Sequence, residues 1–403
     1  MMRPVYVLAV LLGGIGLTVD SQPVEARSFE ACVGGLWNDA RSAGVSRSTF
    51  NAATGGIGPD QAVLKAASRQ PEFVKPIWDY LDGAVSSARI SKGRELSRQY
   101  GGILDAIEGT YGVDRNVVLA IWGMESSFGA VLNNKNIVRP VIRSLATLAC
   151  LDERRAKFGK TQLVAALQIL ERGDTSPARM TGSWAGAMGH TQFIPTTYNS
   201  YAVDFDGDGR RDIWTNVADA LASTAHYLRK SGYEPGKTWG YEVQLPQGFN
   251  YALADRKTFR TLREWQRLGV NRVAGREFPR PRDKAKLVLP AGARGPAFLM
   301  LPNFDAILKY NNSTSYALGV GHLADRIRGG SGFVQSWPRG DTPLTRSQRR
   351  ELQTILTRRG FNTGGIDGKI GPMTQSAIRD YQARSGLVAD GYASLQLLQR
   401  LRQ

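Results

Sequence analysis

One stretch constrains this chain more than any other. Residues 117 to 124, VVLAIWGM, are almost wholly apolar, and they lead into Glu125 and the break Ser126-Ser127-Phe128-Gly129. Such a run predicts a buried helix of about two turns that delivers one carboxylate at its end. Apolar surroundings disfavour the charged form of a carboxyl group and raise its pKa. That is the tuning a general acid needs to give up a proton near neutral pH. The competing reading is a helix-end glutamate at the solvent edge, or one paired with an arginine.

Further apolar stretches with helical spacing occur at Leu163 to Leu170 and Leu221 to Leu228. The fold class is therefore mainly α, with some β. The segment from Gly236 to Gly295 differs. It is rich in Gly, Pro and Arg and holds short extended pieces at Tyr241-Glu242-Val243 and Leu287-Val288-Leu289, so a small irregular or β-containing insert is expected there. Gly329-Gly330-Ser331-Gly332 and then Trp337 to Pro343 break the periodicity. At 403 residues the chain is long enough for more than one domain. The expected division is residues 1–26 as a signal peptide, 27–332 as the main helical domain, 333–343 as a linker and 344–403 as a small helical module.

The N-terminus carries the secretory pattern. Arg3 precedes the apolar run Val5 to Val19, and Val24-Glu25-Ala26 suits signal peptidase. The run is shorter than the ~20 apolar residues of a spanning helix, and Gly13, Gly14 and Gly16 interrupt it. Glu30, just before Cys32, does not suit a lipoprotein signal. The expectation is a periplasmic or otherwise exported chain with no stable membrane span after cleavage. Cys32 and Cys150 are its only cysteines, and an oxidising compartment allows one bridge between them. Two buried free thiols are the alternative, and spacing does not decide between them. The net charge of +17 draws such a chain to polyanions. In the envelope these are peptidoglycan stem carboxylates, teichoic acids or anionic lipid surfaces. Export and scattered Lys and Arg, without an aromatic-interleaved basic stripe, argue against nucleic acid.

Glu-Ser-Ser-Phe-Gly after an apolar helix resembles the catalytic motif of lysozyme-like lytic transglycosylases, and most of all the membrane-bound lytic transglycosylase B family, glycoside hydrolase family 103. The resemblance continues through Gly182-Ser183-Trp184-Ala185-Gly186-Ala187-Met188-Gly189-His190-Thr191-Gln192-Phe193-Ile194-Pro195. It extends to Tyr201-Ala202-Val203-Asp204-Phe205-Asp206-Gly207-Asp208-Gly209, to Lys309-Tyr310-Asn311-Asn312-Ser313 and to Tyr316-Ala317. It implies a lysozyme-like helical catalytic domain that cuts peptidoglycan glycan strands. Glu125 would be acid and then base, forming a 1,6-anhydromuramoyl end. Ser183, Gln192, Tyr310, Asn311 and Tyr316 match substrate-contact positions, and Tyr80 is a thinner match. For any single aromatic, core packing is the commoner role. His190 reads as a packed or surface histidine at least as readily as a catalytic one. Two other readings stay open: a muramidase that adds water, and a noncatalytic wall-binding scaffold.

Asp204, Asp206, Asp208 and Asp212 occupy positions 1, 3, 5 and 9 of an EF-hand-like loop, with Gly209 at position 6. Alternate carboxylates around a sharp glycine turn suit calcium. Arg210 offers only its backbone carbonyl, and Asp219 closes the set as the family resemblance implies. The ion would be structural, and no cofactor is required for catalysis. The C-terminal stretch resembles the three-helix peptidoglycan-binding domain of cell-wall hydrolases, with turns at Asp367-Gly368 and Asp390-Gly391. Such modules also serve as spacers or docking units, which makes other cell-wall enzymes candidate partners. Most of these turn residues are read as turn-forming only.

Overall fold

The computed structural model describes residues 24–68 and 75–403. The signal segment expected over residues 1–26 lies outside them, except for its last three residues. Among the described residues no helix is long and apolar enough to cross a membrane.

The apolar stretch at 117–124 lies inside the helix Arg115–Ser126. Asp114 starts this helix by accepting the Asn116 backbone N–H at 2.8 Å. Every residue from Val117 to Gly123 is buried, so the helix is apolar on all faces and runs through the middle of the body. The helices Thr314–Arg328, Ser87–Gln99, Gly101–Tyr111 and Val217–Lys230 wrap it. Val118, Leu119, Ile121, Leu318 and Val320 form their shared core. Each such side chain contributes about 1.5–3 kcal/mol by leaving water.

A second core lies between Val141–Leu151 and Ala156–Glu171, where Leu145, Leu163 and Leu167 meet. The first described helix, Val24–Gly35, packs onto it, and Cys32 is bridged to Cys150 across 118 residues of sequence.

The insert is a five-stranded antiparallel sheet. Its strand order is Arg260–Thr261, Lys284–Val288, Ala297–Met300, Gly240–Gln244 and Asn271–Arg272. Ala297–Met300 is buried on both faces. Its alternation divides the strand between two cores: Phe298 and Met300 face the central helices, while Ala297 and Leu299 face the insert's own core around Trp265.

The C-terminal module has helices Arg346–Arg358, Pro372–Arg384 and Leu395–Leu401 around Leu352, Leu356, Ile378 and Leu398. Its two Asp-Gly turns are built alike. Buried Gln353 accepts the Gly368 N–H at 2.8 Å, and buried Gln382 accepts the Gly391 N–H at 2.8 Å. Each amide also donates to the aspartate of its turn. These motif residues fasten the bundle.

Residues 333–343, read from the sequence as a linker, are packed rather than free. Phe333 stacks on His322 with ring centroids 3.8 Å apart. Glu242 accepts the backbone N–H groups of Val334 and Gln335 at 2.8 and 2.7 Å. Trp337 lies against Phe298 and Trp78, and Arg339 grips Asp82 through two bonds of 2.7 and 3.0 Å. A glycine-rich stretch looks loose in sequence, yet its aromatic and charged residues find partners far away in the chain.

Candidate active site

Glu125 occupies the last turn of the central helix. The chain then reverses through three left-handed residues, Ser127, Phe128 and Gly129, with φ of 50°, 58° and 85°. Two of them carry side chains, which is costly and is sustained only by surrounding contacts. The Phe128 ring folds back so close to Gly123 that a Cβ there would lie 2.6 Å from it. Ser126 donates to the His190 carbonyl at 2.6 Å and accepts the Gly129 N–H at 2.9 Å. His190 presses its ring against Gly129, where a Cβ would stand 2.6 Å from Cε1. Trp122 donates from Nε1 to His190 Nδ1 at 3.0 Å, which makes Nδ1 an acceptor. Burial lowers the His190 pKa and favours the neutral ring. His190 is therefore a packing piece that seats the turn.

Burial pushes the Glu125 carboxyl up to about 7, against the hydrogen bond that Tyr316 donates to its Oε1 at 2.6 Å. Among the described residues, no carboxylate stands with the groups that shift it. Three tyrosines surround it. Tyr316 comes from the first turn of Thr314–Arg328. Tyr310, from the end of Pro302–Tyr310, donates to the Thr191 carbonyl at 2.5 Å. Tyr80, from Ile77–Ala84, lies with Met124 over Gly319, their nearest carbons 3.4 and 3.3 Å from where a Cβ would be. Burial, with the Glu125 charge behind it, raises the pKa of all three phenols. They remain neutral hydroxyls around one acid whose own pKa is raised to about 7. Such a site can give a proton and take one back.

The acidic loop gathers three of its candidates. Asp204, Asp206 and Asp219 place carboxylate oxygens within 4.8 Å of one another. Asp219, fully buried, accepts from the N–H groups of Phe205 and Asp212 at 2.8 and 2.9 Å. Burial is the main reason its carboxyl rises to about 6. Asp208 stands outside that cluster, exposed, with its carboxylate on the Arg210 backbone and guanidinium. Asp212 spends its carboxylate on Trp214 and Thr215. Three oxygen donors of like charge, held close by the backbone, fit a hard cation.

Residues 28–325 match the transglycosylase SLT domain family, and residues 345–401 match the peptidoglycan binding domain family. The chain belongs to the transglycosylase SLT family. SltB3 of Pseudomonas aeruginosa, solved in complex with NAG-anhNAM-pentapeptide, shares 51% identity at a TM-score of 0.90, covering 94% of this chain and all of that one. Membrane-bound lytic murein transglycosylase B of Escherichia coli (strain K12) is 31% identical over 250 residues, which span 60% of this chain and 65% of that relative. The Escherichia coli lytic transglycosylase Slt35 in complex with calcium matches at a TM-score of 0.60 and 25% identity, covering 75% of this chain and 92% of that one.

In this SLT-family chain the structure brings Glu125, Tyr80, Tyr310 and Tyr316 together. It does not bond Ser183, Gln192 or Asn311 to Glu125. Ser183 turns its hydroxyl to the Ala185 and Ala187 N–H groups, and Gln192 donates to the Gly189 carbonyl. Asn311 lies exposed just beyond Tyr310. Met124 and Trp122 were not singled out as site residues by the sequence, and His190, weighed there as packed, surface or catalytic, is here the packed partner of Trp122. All three flank Glu125 in the motif's own helix or in the adjoining turn block, and an aromatic residue three positions before the acid was the available signal.

Proposed function

We propose that the chain is an exported lytic transglycosylase that cleaves the β-1,4 bond between N-acetylmuramic acid and N-acetylglucosamine. The observation that carries this reading is the Glu125 carboxyl group, held near a pKa of 7 among tyrosines, with no carboxylate of the described residues among the groups that shift it. Glycosidases that add water or form a glycosyl-enzyme ordinarily use two carboxylates. One suffices if the substrate supplies its own nucleophile. Glu125 gives its proton to the glycosidic oxygen, the bond from C1 to that oxygen breaks, and the N-acetylglucosamine end leaves with a 4-hydroxyl. The Glu125 carboxylate then removes the proton from the muramoyl C6 hydroxyl as O6 bonds to C1. The 1,6-anhydro ring closes, Glu125 is protonated again and no water is consumed. The substrate acetamido group and the tyrosine hydroxyls stabilise charge in between. The anhydro-sugar complex of SltB3 at 51% identity supports this assignment.

Residues 27–332 form the catalytic unit, 333–343 the strap and 344–403 a peptidoglycan-binding module, as the two family matches support. Asp204, Asp206 and Asp219 hold a structural calcium ion, with Asp208 and the Arg210 carbonyl outside the cluster of carboxylates seen here. The calcium complex of Slt35 supports that placement. Ser183, Gln192 and Asn311 border the sugar path, and the three tyrosines line it.

The test is digestion of purified sacculi followed by mass spectrometry of the released ends. Anhydro ends from the wild type, and none from Glu125→Gln with wall binding retained, are expected. Hydrated ends alone would transfer the chain to the muramidases. Tight binding without any cleavage would make it a scaffold.

A further inference from the structure

A cleft of about 280 Å³ separates the catalytic unit from the C-terminal bundle. One wall is made by Trp78 and Thr314, and these belong to the helices that carry Tyr80 and Tyr316. The cleft therefore opens at the N-terminal ends of the two helices that carry Tyr80 and Tyr316. Arg256 and Arg379 line it from opposite sides.

Neither arginine has an ion-pair partner among the described residues. Arg256 sits on a left-handed backbone, φ 63°, and donates only to neutral acceptors: Thr314 Oγ1 at 2.7 Å and Gln375 Oε1 at 3.3 Å. Arg379 lies one helical turn beyond Gln375 on Pro372–Arg384 and makes no hydrogen bond among the described residues. The neighbouring acids are committed elsewhere. Asp390 accepts from Ala293, Gln382 and Tyr392. Asp255 accepts from Lys257 and Thr258, Asp305 is clasped by Lys286, and Asp380 is exposed. Burial and mutual repulsion work against the charge on Arg256. Asp390, which lines the cleft, and Asp255, Asp380 and Asp305 favour these charges from a distance, but none forms an ion pair with either guanidinium, so both partly buried groups keep donors free for an anion that enters. The planar fork of arginine suits a carboxylate.

We propose that this cleft is a binding site for a carboxylate of the peptide stem on the glycan strand, held between Arg256 and Arg379. The inference rests on the transglycosylase reading above. A strand seated at Glu125 carries its stems beside the scissile bond, so an anion within reach of the tyrosine-bearing helices belongs to the substrate itself. The apolar faces of Trp78, Leu289 and Tyr392 suit the aliphatic body of a peptide rather than a bare phosphate.

The experiment compares kcat/KM on peptide-bearing strands with kcat/KM on the same strands stripped of peptide by an amidase. The wild type should prefer the peptide-bearing strands. In Arg379→Gln that preference should fall roughly tenfold through KM, the loss expected for one charge-assisted hydrogen bond. Arg379→Lys should recover part of it, and amidation of the stem carboxylates should reproduce the Gln result with wild-type enzyme. An equal preference in wild type and Arg379→Gln, with unfolding midpoints matched, would overturn the proposal. So would inorganic phosphate competing better than a free stem tetrapeptide. Failure of the wild type to cut either substrate would instead remove the transglycosylase reading.

Discussion

Replacing Glu125 by glutamine should make the protein more stable while it abolishes turnover, and the gain should depend on pH. The carboxyl group is held near 7 in the folded chain, against 4.5 for an exposed glutamate. At pH 4 both forms are largely protonated and fold with little electrostatic penalty. As pH rises past the unfolded value, the unfolded chain loses its proton first and is favoured. The penalty on the folded state grows until pH 7 and is then constant. A shift from 4.5 to about 7 corresponds to about 3 kcal/mol at full development. Glutamine removes the charge and keeps an oxygen for the Tyr316 hydroxyl, but its amide N–H groups need an acceptor, so about 1–3 kcal/mol is the net expectation. Denaturant unfolding of the wild type and Glu125→Gln at pH 4 and pH 8, following the transition of the catalytic unit, measures it. The Asp219 carboxyl titrates in both proteins and cancels in the difference, because the two sites share no partner. A difference that is the same at pH 4 and pH 8, or that favours the wild type at pH 8, would refute the raised pKa and with it the basis for Glu125 as an acid.

The remaining expectations concern the groups around that acid and the supports of the fold. The wild-type kcat/KM should fall as pH rises through about 7, since the free enzyme must hold its proton. Tyr316→Phe removes the one hydrogen bond that opposes the shift, so the falling limb should move up by about 1–2 pH units; a limb that stays or moves down contradicts the geometry. Calcium at about a hundred times its dissociation constant should stabilise the catalytic unit by roughly 2.7 kcal/mol, and Asp206→Asn should lose that response in a thermal melt with and without chelator. Reducing Cys32–Cys150 opens a loop closed across 118 residues and should cost roughly 4–5 kcal/mol by chain entropy; an unchanged denaturation midpoint under reductant would argue against that cost.

The central helix was legible because burial on every face leaves a run with no polar side, and few structures accept such a run except the middle of a helical body. The late tyrosines were legible only through the order of motifs. Nothing local tells Tyr316 that it will meet Glu125, 191 residues earlier. The acidic loop was half legible. Its spacing gave Asp204 and Asp206, while Asp208 was diverted by Arg210 two positions on, a competition within the loop that an EF-hand pattern does not weigh. The strap and the arginine cleft were not legible. Trp337 finds Phe298 and Trp78, and Arg256 finds Thr314 and Gln375, through contacts fixed only when distant segments have packed. Between helices, Pro and Gly signal a break in periodicity, and a break does not say whether the chain beyond it is free.

The motif Glu125 to Gly129 is mostly a statement about shape. One of its five residues carries a proton. Ser126 is spent on the His190 carbonyl and the Gly129 N–H, Phe128 closes over Gly123, and Gly129 makes room for the His190 ring. Ser127 and Phe128 accept left-handed backbones of about 1–3 kcal/mol each to turn the chain at that point. The consequence is that the helix ends at Glu125's own turn, with the carboxyl facing Tyr316 and the apolar core behind it. A turn without that strain would let the helix run on and carry the next residues past the His190 ring and the Gly123 face they now pack against. Acidity and access therefore have one cause: the core raises the pKa, the reversal keeps the carboxyl reachable, and neither works without the other.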